Sequence, residues 1–161
     1  MNVSSFNSSN KQRSRRAFTL VEIMTVVVII GLLVALALPA FSFVRERTIA
    51  NRVGSDLRTF ANGFEIYGAE NGGFPDDLGP GVLPNEMRGY INENVFESET
   101  PAGGRYDWDN GQFGYRAGVS VWNPTVDDDV MLKLDRAIDD GVLSSGIFRS
   151  RAGGFIYIIE F

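Results

Sequence analysis

Cysteine and histidine are both absent from the 161 residues of the chain. Without cysteine, the chain can form neither a disulfide nor a nucleophilic thiolate. Without histidine, it lacks the most common general base and the most common metal ligand. The sequence also has no glycine-rich phosphate loop, and Ser144-Ser145-Gly146 is typical of a turn rather than of a nucleophile motif. These absences argue against an enzyme.

Charge is distributed unevenly along the chain. Residues 1–17 carry four cationic side chains and no acidic one. Subtracting this +4 from the net charge of −5 of the whole chain leaves −9 for residues 18–161. A protein that binds nucleic acid through its body needs a cationic face. The acidic body therefore argues against nucleic acid as a partner.

A long uncharged segment follows the basic start. The 22 residues 23–44 contain no charged side chain, and as a helix they would be roughly 33 Å long. The hydrocarbon core of a bilayer is about 30 Å thick. The segment therefore predicts a membrane span, with the cationic residues on the cytoplasmic side and the rest of the chain on the other side. Pro39 lies within it and is expected to kink the helix.

Glu22 is an acid at the head of this uncharged segment. A carboxylate near the centre of a bilayer costs about 2.5–3.5 kcal/mol on insertion scales, and less near the interface. Two interpretations follow. Glu22 is either an interfacial, solvated group, or it is paired within the membrane with a cation such as a newly exposed N-terminal amine.

The run from Arg15 to Glu22, followed by the apolar helix, resembles the N-terminal signal of type IV pilins and type II secretion pseudopilins. The resemblance implies that a prepilin peptidase cuts between Ala17 and Phe18 and methylates Phe18. It implies that Glu22 neutralises the N-terminal amine of a neighbouring subunit and so sets the axial register of assembly. The implied partners are the peptidase, identical or related subunits and an inner-membrane assembly platform. Ala17 departs from the family, which usually has glycine before the cut.

An ordinary secretory signal peptide is the competing interpretation of this segment. It also has a basic start, an apolar stretch and small residues near its cut, and Ala35-Leu36-Ala37 fits that last feature. The apolar stretch is too long for a signal peptide, however, and contains Glu22. Cleavage near residue 37 would also remove the first half of the helix described next.

The helix is predicted to continue beyond the span, as an amphipathic segment over residues 45–73. Its apolar side chains recur at helical spacing, at Ile49, Val53, Leu57, Phe60, Phe64 and Tyr67. Asn71-Gly72-Gly73 predicts its end. The apolar stripe is interpreted as a core face covered by a small domain, with a coiled-coil seam as the alternative.

Residues 74–161 are predicted to form the globular head. A loop-rich stretch with a short helix near residues 85–90 comes first. A hairpin is then expected to turn at Asn110-Gly111, with Phe113 and Tyr115 in its second strand. A second strand pair is expected from residues 146–150 and 155–161, turning through Ala152-Gly153-Gly154.

These elements predict an α+β fold, in which the long N-terminal helix packs against a small antiparallel sheet. The predicted segments are a basic leader over residues 1–17, a transmembrane half-helix over 18–44, an amphipathic half-helix over 45–73 and the head. Core packing is the default interpretation for Trp108 and Trp122, with a partner-binding surface as the alternative.

Two acidic clusters flank a short predicted helix over Val130–Ile138, which Asp129 is expected to cap. The clusters are Asp127, Asp128 and Asp129 before the helix, and Asp139 and Asp140 after it. The resemblance implies a calcium hypothesis, because some pseudopilins hold this ion in a C-terminal loop and carboxylates suit it. The spacing does not match an EF-hand, and helix capping explains the first cluster equally well.

Three functions remain open from the sequence. The first is a pseudopilin of a type II secretion system, anchored in the inner membrane with its N-terminus in the cytoplasm and its head outside. The second is a major or minor type IV pilin for adhesion, motility or DNA uptake. The third is a membrane-tethered binding domain that does not polymerise.

Overall fold

The computed structural model describes residues 18–161. The chain divides into two compact units, one ending at Ala40 and the other spanning Phe41–Phe161.

Helix α1, Leu20–Asn71, is 52 residues long and begins in the first unit. Its large apolar side chains are exposed up to Val44. In the second unit one stripe of the helix is buried, and its members are Ala50, Val53, Gly54, Leu57, Phe60 and Phe64. The helix ends where the sequence predicts. Gly72 has a φ of +74°, and its N–H donates to the carbonyl of Gly68 at 2.9 Å.

Four antiparallel strands form one sheet in the head. They are β1, Arg105–Asn110; β2, Ala117–Trp122; β3, Phe148–Arg151; and β4, Gly154–Glu160. The strand order is β1-β2-β4-β3. A four-residue helix α2, Glu93–Phe96, precedes the sheet, and helix α3, Asp128–Ile138, connects β2 to β3.

The core lies between the buried stripe of α1 and one face of the sheet. Trp108 of β1 is fully buried, and its ring stacks on that of Phe64 with centroids 3.6 Å apart and planes 7° apart. Phe96 of α2 meets Phe60 of α1 edge to face at 5.1 Å. These contacts confirm the predicted α+β fold and the interpretation of the apolar stripe as a core face. Trp122 is 40% exposed and lies outside this core.

A buried ionic cluster lies on the strands. Arg151 of β3 donates to Asp107 of β1 at 2.9 Å and to Ser120 of β2 at 3.1 Å. Asp109 lies 3.8 Å from the same guanidinium. The side chains of Arg151, Asp107 and Asp109 are each at most 7% exposed. A single cation therefore serves two buried carboxylates.

The first hairpin differs from its prediction. Asn110 pairs with Ala117 in the ladder, so the connection is a six-residue loop over 111–116 rather than a two-residue Asn-Gly turn. Phe113, with a φ of +52°, and Tyr115 both lie in this loop, and neither is part of the predicted strand. The Asn110 side chain donates instead to the carbonyl of Pro75 at 2.9 Å. This contact across the head replaces the local turn that the dipeptide predicted.

The helical predictions need smaller corrections. Helix α3 begins at Asp128 with Asp127 as its N-cap residue, and the cap makes no side-chain hydrogen bond. The cap is therefore Asp127 and not Asp129. Near residues 85–90 the structure has only a single 3-10 turn, Asn85–Met87. The second strand pair is confirmed with bounds shifted by one or two residues, and Ala152 and Gly153 form the turn because Gly154 already belongs to β4.

Candidate functional site

The start of α1 is closed by a capping box formed by Thr19 and Glu22. Glu22 Oε2 accepts hydrogen bonds from the backbone N–H of Thr19 at 2.8 Å and from its hydroxyl at 2.9 Å. In return the N–H of Glu22 donates to Thr19 Oγ1 at 3.2 Å. This reciprocal pattern satisfies backbone donors that the first turn of a helix leaves free. Glu22 thus has a local structural role, and the Thr-x-x-Glu spacing is its signal in the sequence.

The first part of α1 presents an apolar surface that nothing in the described chain covers. Phe18 is 79% exposed, and Leu20, Ile30 and Phe41 are all more than half exposed. Within the described residues, α1 is the single helix long and apolar enough to cross a membrane, and its most apolar stretch is not buried at all. A surface of this size marks contact with lipid or with other protein.

Three carboxylates converge at the C-terminal end of α3. Oxygen atoms of Asp135, Asp139 and Asp140 all lie within 4.8 Å of one another. Asp140 accepts hydrogen bonds from the N–H of Val142 at 2.8 Å and from the hydroxyl of Ser145 at 2.7 Å. Asp139 accepts two backbone hydrogen bonds, including one from Phe148 at 2.8 Å. The carboxylates of Asp139 and Asp140 are therefore held in place by the loop that leads into β3.

Asp135 is the unusual member of this group. Its side chain is fully buried, and neither of its carboxylate oxygens has a hydrogen-bond partner among the described residues. Burial raises the pKa of Asp135 above its ordinary value, and the nearby Asp139 and Asp140 raise it further. A buried carboxylate without a partner is costly, so a cation beside these two oxygens would stabilise the ionised form of Asp135.

The structure separates the two predicted acidic clusters. Asp127, Asp128 and Asp129 lie at the start of α3, whereas Asp139 and Asp140 lie at its end. Twelve residues of helix span about 18 Å, so one ion cannot bind both clusters. The third carboxylate beside Asp139 and Asp140 comes from Asp135 and not from the cluster at residues 127–129. The sequence contained a signal for this contact, because Asp135 and Asp139 are four residues apart and so lie on one face of a helix.

Comparisons with known proteins agree with the N-terminal pattern. Residues 12–38 match the family model described as "Prokaryotic N-terminal methylation motif". Type II secretion system core protein G of Dickeya chrysanthemi is 30% identical over 104 residues, which are 59% of this chain and 68% of that protein. The chain belongs to the type II secretion pseudopilin family.

Other relatives with the same description support this assignment. Core protein G of Klebsiella michiganensis is 26% identical over 133 residues, which are 74% of this chain and 94% of that protein. The protein of Escherichia coli is 36% identical over 61 residues, or 38% of this chain and 42% of that protein. No solved structure matches the chain. Pseudopilins are structural subunits, and the family is not known for enzymatic activity.

The predicted processing, kink and assembly residues all fall at the start of the chain or in α1. Phe18 is the first described residue, and Ala17, on the other side of the predicted cut, lies outside the described residues together with the basic leader. Pro39 lies inside α1, and the kink expected there stays a prediction. Glu22 is exposed in the first turn of the same helix.

Proposed function

We propose that this chain is a structural subunit of a type II secretion pseudopilus. It enters the inner membrane through the first part of α1, with its N-terminus in the cytoplasm and its head outside. A prepilin peptidase then cuts between Ala17 and Phe18 and methylates Phe18, and an inner-membrane platform assembles the mature subunits into a filament. The observation that carries this proposal is the uncovered apolar surface of α1 with Glu22 as its only charge before Arg45.

The apolar surface of α1 suits both states of the subunit, the one stored in the membrane and the one assembled into a filament. Lipid covers it while the subunit is stored in the membrane, and the same surface of other copies covers it in a filament. A carboxylate transferred into such an apolar interior needs a cation. Glu22 Oε2 is occupied by Thr19, which leaves Oε1 to accept from the N-terminal amine of a neighbouring Phe18. One carboxylate can thus cap its own helix and neutralise the next subunit.

Two substitutions of Glu22 separate its charge from its capping role. Glutamine keeps an oxygen that can accept from Thr19, because capping boxes use glutamate or glutamine, but it removes the charge. Alanine removes both. We expect Glu22→Gln and Glu22→Ala to be inserted and cleaved, yet both to be missing from sheared filaments of a host with the full secretion system. Normal filaments from Glu22→Gln would mean that Glu22 acts by capping, and normal filaments from Glu22→Ala would mean that assembly does not need Glu22. Absence of the unaltered chain itself from filaments would support a tethered domain that does not polymerise.

The secretion role is preferred to a type IV pilus because the relatives that match are described as secretion proteins. Deleting the gene should therefore stop export of secreted enzymes and leave surface pili intact. Loss of pili or of DNA uptake with normal export would favour the pilin alternative.

We also propose that the head binds calcium at Asp135, Asp139 and Asp140. The residues fit the ion, because their oxygens lie within 4.8 Å of one another and both oxygens of buried Asp135 are unpartnered among the described residues. Calcium takes 6–8 oxygen ligands, so backbone carbonyls or waters must complete the shell. The ion would neutralise Asp135 and fasten the end of α3 to the loop before β3.

A further inference from the structure

A cationic groove lies where α1 leaves its uncharged segment. It has a volume of about 410 Å³ and lies between α1 and α3. Arg47, Lys133 and Arg136 contribute three cations to its lining, Phe43 contributes an aromatic ring, and no acidic side chain of the described residues lines it. Such a volume is in the range of small-ligand pockets.

One ion pair joins α1 and α3 beside the groove, and two further cations that line it form no ion pair among the described residues. Lys133 of α3 pairs with Glu46 of α1, and its ammonium lies 5.8 Å from the centre of the Phe43 ring. Arg47 and Arg136 are exposed, and neither makes an ion pair or a hydrogen bond with any residue in the described range 18–161. Three cations thus face the single carboxylate of Glu46 at the groove, which gives it a net positive charge, and Arg136 also interacts with the charge of buried Asp135.

The position of the groove points to its ligand. Arg47 follows the last residue of the uncharged segment, Val44, by three positions, which is about 4.5 Å of helix rise. Phe43, which lines the groove, belongs to that segment and is 55% exposed. Aromatic side chains at the end of a membrane span lie at the level of the lipid headgroups. In a membrane-inserted subunit the guanidinium group of Arg47 would thus be near the depth of lipid phosphates, with Arg136 beside it in the same groove.

We propose that this groove binds the phosphate of an anionic phospholipid in the leaflet where α1 emerges. Arg47 and Arg136 bind the phosphate oxygens, since guanidinium groups match phosphate geometry. Phe43 and the stem of Lys133 contact the glycerol and the start of an acyl chain. The otherwise acidic head is thereby held at the membrane surface by this basic edge. The inference goes beyond the proposed function and needs only that α1 is in a membrane.

Binding can be measured on the full mature chain in a neutral detergent. The chain is titrated with short-chain phosphatidylglycerol and, separately, with phosphatidylcholine of the same acyl length, and thermal shift reports the apparent Kd. Each cation near an anionic lipid surface contributes about fivefold in binding. We expect phosphatidylglycerol to bind more tightly than phosphatidylcholine, and the double variant Arg47→Gln/Arg136→Gln to weaken the former about 25-fold.

A matched control removes the same charge elsewhere. Arg88 and Arg116 are exposed and pair with Glu93 and Glu160 respectively, and neither lines the groove. Arg88→Gln/Arg116→Gln should bind phosphatidylglycerol as the unaltered chain does. Equal weakening in the control would show a general effect of net charge and overturn the site.

Two further results would also overturn the proposal. Equal binding of the two lipids would remove the anionic headgroup as the ligand. Equal protection by inorganic phosphate alone would identify an anion site that does not need a lipid. Either result leaves the filament role intact, because filament assembly is tested independently through Glu22.

Discussion

The hydroxyl of Tyr106 on β1 donates a 2.9 Å hydrogen bond to the carboxylate of Asp56 on α1, inside the core. Burial raises the pKa of Tyr106, and the charge of Asp56 raises it further, so the phenol stays a donor. The second oxygen of Asp56 faces Arg52 at 3.4 Å. This contact joins the sheet to the helix that carries the membrane segment.

Tyr106→Phe should therefore destabilise the head. The substitution removes a hydrogen bond to a charged group, and such bonds contribute about 1.5–3 kcal/mol. The measurement is the free energy of unfolding in denaturant. Tyr115→Phe is the matched control, because within residues 18–161 the hydroxyl of Tyr115 accepts a single, long hydrogen bond, at 3.5 Å, from Arg149. Equal stability of the two variants would mean that the buried bond has no net effect.

Gly104 and Gly111 allow the cost of a steric clash to be measured alone. Both have positive φ, +72° and +70°. A Cβ at Gly104 would lie 2.1 Å from the carbonyl oxygen of Trp122, whereas a Cβ at Gly111 has nothing within 4 Å. Gly111→Ala should cost about 1–2 kcal/mol, for the left-handed backbone. Gly104→Ala should cost clearly more in the same denaturant titration, because β1 must move away from β2, and a similar cost for both would contradict the close approach.

The buried carboxylate of Asp107 predicts a pH dependence of stability. Burial raises the pKa of Asp107 from 3.8 to about 7, with the nearby Asp109 contributing to the rise and Arg151 opposing it. The native state therefore holds a proton that the unfolded chain releases near pH 4. The free energy of unfolding should fall as pH rises from about 4 to 7, and this contribution should be constant above that range.

Asp107→Asn should flatten this part of the stability profile, because asparagine does not titrate. The comparison is the difference in unfolding free energy between the variant and the unaltered chain at about pH 4, 5, 6 and 7, the range over which the linkage acts. The control is Asp128→Asn, which makes the same change at an exposed position and should leave the slope as it is in the unaltered chain. An unchanged slope in Asp107→Asn would show that Asp107 is ionised throughout.

The calcium proposal predicts that the ion stabilises the head. Calcium at about 100 times its Kd would add about 2.7 kcal/mol to the free energy of unfolding. Asp135→Asn should lose this gain and, without calcium, should unfold no more easily than the unaltered chain, since it removes an unpartnered carboxylate. Asp128→Asn, at the other end of α3, should keep the gain. A melting temperature that calcium does not change in the unaltered chain would end the proposal.

The sequence was most informative where periodicity is local. The stripe from Val53 to Phe64 follows helical spacing and is buried as predicted, and Asn71 ends α1 because glycines follow it. The turn at Ala152 and Gly153 could also be predicted from the sequence, because a strand lies on either side of it. Each of these predictions depended only on residues close in sequence.

Predictions from the sequence failed where contacts between residues far apart in the chain determine the structure. Asn110-Gly111 predicted a tight turn, but the Asn110 side chain donates to the carbonyl of Pro75 and a longer loop forms. Asp135 resembles one more surface acid in the sequence, and only the packing of α3 buries it. The cationic groove was missed for the same reason, because Arg47 and Arg136 are 89 positions apart in the chain and meet only in the fold.

The mass of the mature protein tests the central claim most directly. The chain should be extracted from native membranes and its intact mass and N-terminal peptide determined by mass spectrometry. We expect a chain that begins at Phe18 and whose mass is that of residues 18–161 with one methylation added. A chain that begins near Leu38, as a signal peptide would leave it, or an uncut chain that retains Met1, would contradict assembly through a processed α1.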